Sequence, residues 1–168
     1  EHMAEAYLQH CDSLLAIGPT LGSRVSGLGP PVHVIPNYRY SETPTRSREL
    51  RDWCGVREDE SLVLVISTIA SGFAEVLDAL ASLPEDVHLA MLGRIVPESY
   101  RQEMLDRIQA LGLRSRIHLF DMVPYDDLAR IASGADIGLI VRDPALANNY
   151  VSLPNRVFDY LASGLPIC

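Results

Sequence analysis

The sequence contains no lysine, and all fourteen of its basic residues are arginine. A P-loop needs the lysine of its Gly-Lys-Ser/Thr signature, and a Schiff-base enzyme needs a lysine amine, so both classes are excluded. A phospho-receiver domain, which combines a lysine with a cluster of acids, is disfavoured on the same ground.

Cysteine is scarce, and the residues that occur, Cys11, Cys54 and Cys168, are too widely spaced for a Cys-x-x-Cys pair. An odd, scattered set predicts neither a disulfide framework nor a structural zinc site. Such cysteines are typical of reduced thiols, so we expect a cytoplasmic protein. The chain also lacks an Asp-x-Asp motif, and we expect neither a metal ion nor a cofactor.

Long apolar runs and a net positive charge are missing as well. The longest apolar runs, residues 62–66 and 137–141, have the length of strands, whereas a membrane-spanning helix needs about 20 apolar residues. The net charge of -8 repels phosphate backbones, so nucleic acid is not an expected partner.

What the sequence does contain is a regular alternation of strand-like and helix-like segments. Predicted strands cover residues 13–17, 32–35, 62–67, 87–92, 116–120 and 136–141, and predicted helices cover 20–27, 73–83, 97–111, 126–133 and 152–163, with a short helix ending near residue 53. Continuous apolar runs are typical of parallel strands that are covered on both faces. The pattern therefore predicts an α/β fold with a doubly wound, Rossmann-like, mostly parallel sheet and helices on both faces.

Ligands of such a sheet bind beyond the carboxyl ends of its strands. These ends are predicted at residues 67–72, 93–96, 121–125 and 142–154. The last segment opens the final predicted helix, whose unpaired N–H groups and positive dipole end favour an anion. A dinucleotide dehydrogenase is disfavoured, because residues 27–30, GLGP, lack the Gly-x-Gly-x-x-Gly spacing.

Four segments, in order along the chain, resemble the group 1 (family 4) glycosyltransferases. The most specific is LPNRVFDYLASGLP at residues 153–166, which is similar to the donor-site segment of that family. The others are VIPN at 34–37, RIHLF at 116–120 with its following Val-Pro turn, and ADIGL at 135–139. The resemblance implies one half-domain of the two-domain GT-B fold, namely the C-terminal, donor-binding half.

The resemblance also implies a division of the chain. We expect residues 1–37 to be the tail end of an N-terminal acceptor domain and residues 38–60 to be a linker with a short helix. Residues 61–168 would form the nucleotide-sugar (donor) binding domain, truncated at its C-terminus. The missing N-terminal domain of the same enzyme would be a partner, and membrane association would arise only through that missing part.

Candidate donor-binding residues follow from the same match. Asp159 stands where the family uses a glutamate to bind the ribose, and Arg156 replaces a phosphate-binding lysine. The remaining candidates line the helix opening and the other strand ends: Ser152, Pro154, Asn155, Asn149, Gly93, Arg94, Ser67, Thr68 and Val123. Catalytic residues are not predicted.

Two departures from the family pattern bear on the site. The loop at residues 67–72 carries no basic residue, where the family places two cations against the diphosphate. Hydroxyls of Ser67, Thr68 and Ser71, with Arg94, are the expected substitutes. The family's sugar-binding glutamate falls at Val151, which leaves Asn148 and Asn149 as candidates for the sugar hydroxyls.

The function that we expect is transfer of a sugar from a UDP- or GDP-sugar to an acceptor. The resemblance implies a retaining, metal-independent reaction in which the nucleotide sugar is substrate, and we expect the fragment to be inactive alone. The alternative is a non-catalytic, Rossmann-like nucleotide-binding or regulatory interaction module. A nucleotide-sugar epimerase is a third possibility, which would need acidic and basic residues that this chain does not show.

Overall fold

The computed structural model describes residues 7–8, 10–27, 29–38, 45–142 and 154–168. These residues fall into two compact units. The first contains the described residues up to Tyr38, together with Pro154 and Asn155, and the second contains residues 45–142 and 156–168. Residues 45–60, part of the predicted linker, group with the second unit. The functional domain boundaries stay a prediction.

The first unit contains a strand–helix–strand element. Strand β1 (Leu14–Ala16) and strand β2 (Val32–Val34) pair in parallel, and helix α1 (Pro19–Val25) connects them. The helix lies close to both strands because Gly22 has no side chain. A Cβ atom at Gly22 would lie 3.0 Å from Val34 Cγ2. The predicted strands and helix are thus confirmed in this part of the chain.

The second unit follows the predicted alternation. Its elements are α2 (Glu49–Cys54), β3 (Ser61–Ile69), α3 (Phe73–Ser82), β4 (Val87–Ile95), α4 (Glu98–Ala110), β5 (Ile117–Phe120), α5 (Tyr125–Ala132), β6 (Ile137–Gly138) and α6 (Asn155–Ala162), of which the first residue of α6 groups with the first unit. The sheet order is β5-β4-β3-β6, and every pair is parallel. The predicted fold class, an α/β fold with a parallel sheet flanked by helices, is confirmed.

Strand β3 contributes alternate side chains to two cores, one on each face of the sheet. On one face, Leu62, Leu64 and Ile66 pack with residues of α2, α5 and α6. On the other face, Val65 and Ile69 pack with residues of α3 and α4. The strand is buried on both faces, which explains why its sequence is a continuous apolar run rather than an alternation.

The strand order reverses at β3. From β3 the chain moves through β4 to β5 in one direction, and then returns across the sheet to β6 on the opposite side of β3. Right-handed crossovers place α3 and α4 on one face and α5 on the other, in agreement with the two cores. The gap between β3 and β6 is therefore the topological switch point, where sheets of this kind bind ligands.

Strand β6 is shorter than predicted. The sequence favours a strand over residues 136–141, whereas the ladder with β3 covers only Val63↔Ile137 and Leu64↔Gly138. On its other side, Gly138 forms a parallel bridge with Ile167. The strand ends early because β3 and β6 diverge where the side chain of Tyr160 enters between them.

The amino ends of β3 and β6 are joined by Asp136. Its Oδ2 atom accepts hydrogen bonds from the Leu62 N–H group (2.7 Å) and from Nη2 of Arg51 (2.5 Å), while Oδ1 pairs with Arg46. The Arg51 side chain is only 1% exposed, and it also donates to the carbonyls of Gly134 and Arg57. This network fixes the edge of the sheet opposite the strands' carboxyl ends.

Within the described residues, no helix is long and apolar enough to cross a bilayer.

Two histidines connect β4 to the edge strand β5. Nδ1 of His88 lies 3.2 Å from Nε2 of His118, with ring centroids 5.5 Å apart. Burial lowers the pKa of both imidazoles, and for His88 it outweighs the opposite effect of the Glu60 carboxylate. The neutral form of each imidazole is therefore favoured in the folded state.

We predict that acidification weakens the fold through this pair. Since both folded pKa values lie below the ordinary 6.5, the unfolded chain binds these protons more readily, and the free energy of unfolding falls as the pH drops through about 6.5. Replacing His118→Asn should make the fall shallower. Chemical denaturation between about pH 7.5 and pH 5 tests this, and an equal fall in both proteins would contradict it.

Candidate functional site

Tyr160 occupies the gap where β3 and β6 diverge. Its side chain is fully buried, its hydroxyl oxygen accepts the Ile66 N–H group (2.9 Å), and the same hydroxyl lies 2.9 Å from Leu139 O and 3.1 Å from Leu64 O. Burial raises the pKa of Tyr160 to about 12, so the hydroxyl keeps its proton at neutral pH. Helix α6 is thus attached to both strands at the switch point.

Gly138 makes room for that ring. A Cβ atom at Gly138 would lie 2.4 Å from Cγ of Tyr160. The sequence predicts no role for either residue. A signal was present in Gly138, because a glycine inside an apolar strand marks a close approach of another group. Tyr160 gave no such signal, since an aromatic residue on a helix is ordinarily part of the core.

Arg156 reaches the carboxyl end of β3. Its side chain is half-buried, and its Nε atom donates a hydrogen bond to the carbonyl oxygen of Ile66. Arg156 precedes Tyr160 by four residues and therefore shares its helix face. The structure places this predicted phosphate-binding side chain next to Ser67, at the edge where a ligand is expected.

Asp159 is buried, with 9% of the residue exposed. Its backbone carbonyl accepts hydrogen bonds from the N–H and hydroxyl groups of Ser163. Because so little of Asp159 is exposed, the residue does not belong to the solvated surface that an aspartate in a helix usually occupies. Its predicted role toward a ribose stays a prediction.

The opening of α6 differs from its predicted start. The sequence favours a helix from residue 152, whereas α6 begins at Asn155 and Pro154 directly precedes it. Within the first unit, Nδ2 of Asn37 donates a hydrogen bond to Oδ1 of Asn155 (2.8 Å). The candidates Ser152 and Asn149 lie outside the described residues.

The β3 end of the site is formed by Ser67 and Thr68. Ser67 is buried, and its hydroxyl donates to the carbonyl oxygen of Thr68 at 3.1 Å, while Thr68 is exposed. In the sheet, Ser67 pairs with Gly93 and Thr68 pairs with Arg94. The sheet therefore brings four of the predicted residues together at neighbouring positions of β3 and β4.

Gly93 stands at a close contact between β3 and β4. Its φ of +148° lies in the region that favours glycine, and a Cβ atom there would lie 1.8 Å from the Ser67 carbonyl oxygen. As a predicted donor-binding residue at a strand end, Gly93 would leave room for a ligand to approach the backbone. The structure adds a second requirement, which is the approach of the neighbouring strand.

A cavity of about 290 Å³ opens beside this contact. Its floor contains Met91 and Leu119, and its rim carries Arg94 of β4 and Asp121 after β5, with Arg94 Nε 3.8 Å from Asp121 Oδ1. Val123 follows in the same loop, where it is half-buried and packs against the core on the α5 face. The candidate residues Gly93 and Arg94 of β4 thus line a pocket at the carboxyl edge, and Val123 does not line it.

Because the Gly93 contact is with backbone, we predict that Gly93→Ala lowers the free energy of unfolding by about 1–3 kcal/mol. Gly18→Ala is the matched control, since a Cβ atom there meets nothing within 4 Å, and it should cost no more than about 1 kcal/mol. Chemical denaturation measures both. Equal, small losses would show that strand packing does not require the glycine at position 93.

Comparison with known proteins shows what this chain is similar to in sequence and in structure. No protein-family model matches the chain. The lipopolysaccharide glucosyltransferase WaaG of Escherichia coli is 29% identical over 110 residues, which is 64% of this chain and 29% of WaaG. The chain therefore spans less than a third of that relative.

Solved structures match the whole chain. HepE of Anabaena, in complex with UDP-glucose, has a TM-score of 0.78 at 19% identity, covering 99% of this chain and 47% of HepE. Sucrose-phosphate synthase of Thermosynechococcus elongatus has a TM-score of 0.76 at 17% identity, covering 99% of this chain and 42% of the synthase. The chain thus spans about half of each, and the matches show its fold.

These comparisons confirm the predicted fold. The fold is that of a GT-B half-domain, as in the solved structures that match. The sequence relative, WaaG, is a glucosyltransferase.

Proposed function

We propose that this chain is the donor-binding domain of a glycosyltransferase, and that it binds a nucleotide diphosphate sugar at the carboxyl edge beside α6. The observation that carries the proposal is the position of Arg156 and Asp159. Arg156 lies in the first turn and Asp159 in the second turn of a helix that is attached to the switch point of a parallel sheet. The first candidate donor is UDP-glucose, because WaaG is a glucosyltransferase and HepE binds UDP-glucose.

The pyrophosphate would be bound by the first turn of α6 and by Arg156. Backbone N–H groups at a helix start carry partial positive charge and favour an anion. With Nε bonded to Ile66, a guanidinium still has two amino groups for phosphate oxygens. The same donors would stabilise the charge that develops on the departing diphosphate.

The ribose would be bound by the Asp159 carboxylate, which can accept hydrogen bonds from two hydroxyl groups. The residues that line the cavity at the ends of β4 and β5 would lie next to the nucleobase of the donor. Because arginine and a helix dipole supply the positive charge, we propose metal-independent transfer without a cofactor. We also propose that the reaction is retaining, as the resemblance implies.

The acceptor site and the catalytic base would belong to polypeptide outside this chain, as expected of an N-terminal acceptor domain. The fragment would then bind the donor without transferring the sugar. Cys11, Cys54 and Cys168 are free thiols, which supports a reducing compartment such as the cytoplasm.

Titration of the purified chain with UDP-glucose, GDP-mannose, UDP and GDP in the presence of EDTA tests the proposal. We expect weak, saturable binding, with UDP preferred. Asp159→Asn should weaken UDP binding at least about tenfold, since a hydrogen bond to a charged group contributes about 1.5–3 kcal/mol.

Asp106→Asn is the matched control for Asp159→Asn. Asp106 is an exposed residue of α4 whose carboxylate accepts from Gln102, and its replacement should leave the affinity unchanged. Failure of the wild-type chain to bind any of the nucleotides would overturn the proposal and favour an interaction module.

A second prediction distinguishes the binding of the phosphate groups from the binding of the nucleoside. Arg156→Gln should weaken UDP binding about ten- to a hundredfold, because it removes charge-assisted hydrogen bonds. Uridine, which has no phosphate, should bind the variant and the wild type with similar affinity. Isothermal calorimetry with the two ligands measures the difference, and an equal loss for both would place Arg156 away from the phosphate.

A further inference from the structure

The parallel ladder between β3 and β6 stops at one particular hydrogen bond. Leu139 N donates to Leu64 O at 2.8 Å, which continues the ladder past Gly138. In a regular parallel pair, the next bond would run from Ile66 N–H to Leu139 O. The structure has the Tyr160 hydroxyl in that position instead, at 2.9 Å from each of the two groups.

The hydroxyl therefore replaces one direct bond with a chain of two. It accepts from Ile66 N–H and lies within donating distance of Leu139 O, so both backbone groups have a partner although the strands have separated. A hydroxyl can serve both because it is donor and acceptor at once. No other atom of the tyrosine ring has this ability.

Helix α6 also provides the hydrogen-bond partner of the Ile66 carbonyl group. Arg156, one turn before Tyr160, donates to Ile66 O. The two side chains thus bond both backbone groups of Ile66, and Asp159 lies directly before Tyr160 in the same helix. A shift of Tyr160 would move Arg156 and Asp159 together.

We infer that Tyr160 is a positioning residue for the donor site: its hydroxyl holds β3 and β6 apart at their carboxyl ends and sets the position of Arg156 and Asp159. The inference rests on the proposed function for its ligand, while the separation of the strands can be measured without any ligand. The packing of Gly138 against the ring supports it, since the strand lacks a side chain where the tyrosine enters.

Tyr160→Phe is the direct test, because it keeps the ring and removes the hydroxyl. Without nucleotide, we expect a direct hydrogen bond from Ile66 N to Leu139 O, visible as a through-hydrogen-bond NMR coupling that the wild type lacks. With nucleotide, we expect the Kd for UDP to rise about tenfold. The double variant with Arg156→Gln should lose less affinity than the product of the two single losses, because residues that act through one another are not additive.

Tyr100→Phe is the matched control. The Tyr100 hydroxyl also accepts a hydrogen bond from a backbone amide, that of Phe73 at 3.0 Å. Its removal should lower stability in a similar way, and its effect on UDP affinity should be independent of Arg156. Affinities are compared at temperatures where circular dichroism shows each protein to be folded.

If Tyr160→Phe does not fold, Gly138→Ala replaces it, since the added Cβ displaces the ring while the hydroxyl remains, and weaker UDP binding is again expected. Unchanged strand separation, or a loss of affinity that is simply additive with Arg156→Gln, would overturn the positioning role. If the wild type binds no nucleotide, the proposed function fails, and Tyr160 is then judged by the strand separation alone.

Discussion

The carboxyl half of β3 must find hydrogen-bond partners on both of its edges, and much of the structure follows from how this requirement is met. A buried backbone group without a partner costs about 1–3 kcal/mol. Toward β4 the ladder stays regular as far as Ile69, with Gly93 allowing the close approach. Toward β6 the ladder is interrupted, and side chains of α6 bond Ile66 instead.

The asymmetry of β3 connects the fold with the proposed chemistry. A regular sheet on both sides would leave no crevice, whereas an open gap would leave unpaired polar groups. By filling the gap with side chains from α6, the protein places the start of that helix at the switch point. The groups that satisfy the backbone and the groups proposed to bind the donor thus belong to the same two turns of helix.

The charge distribution is consistent with a site that depends on few cations. The net charge of -8 disfavours any anion at long range, and residues 67–72 contain no basic side chain. Arg94 is exposed and lies near Asp121, so part of its charge is offset. Arg156 is then a cation that α6 brings to the carboxyl end of β3, and Ile66 limits the directions its guanidinium can take.

Much of the fold could be predicted from the sequence because its signals are local. Apolar runs gave the strands, and the resemblance of residues 153–166 indicated the region of the site. The length of β6 could not be predicted, since residues 137–141 are apolar throughout and only the entry of Tyr160 ends the pairing. The partners of Asp136 were also hidden, because Arg51 is 85 positions away along the chain and meets it only after folding.

The Asp136 network has a consequence for how this protein tolerates change. Arg51 and Asp136 tie the amino ends of β3 and β6 through hydrogen bonds that involve no residue of the carboxyl edge. This network therefore stabilises the margin of the sheet that lies opposite the proposed binding edge. Loops at the carboxyl edge can be exchanged by an engineer without removing any hydrogen bond of the Asp136 network.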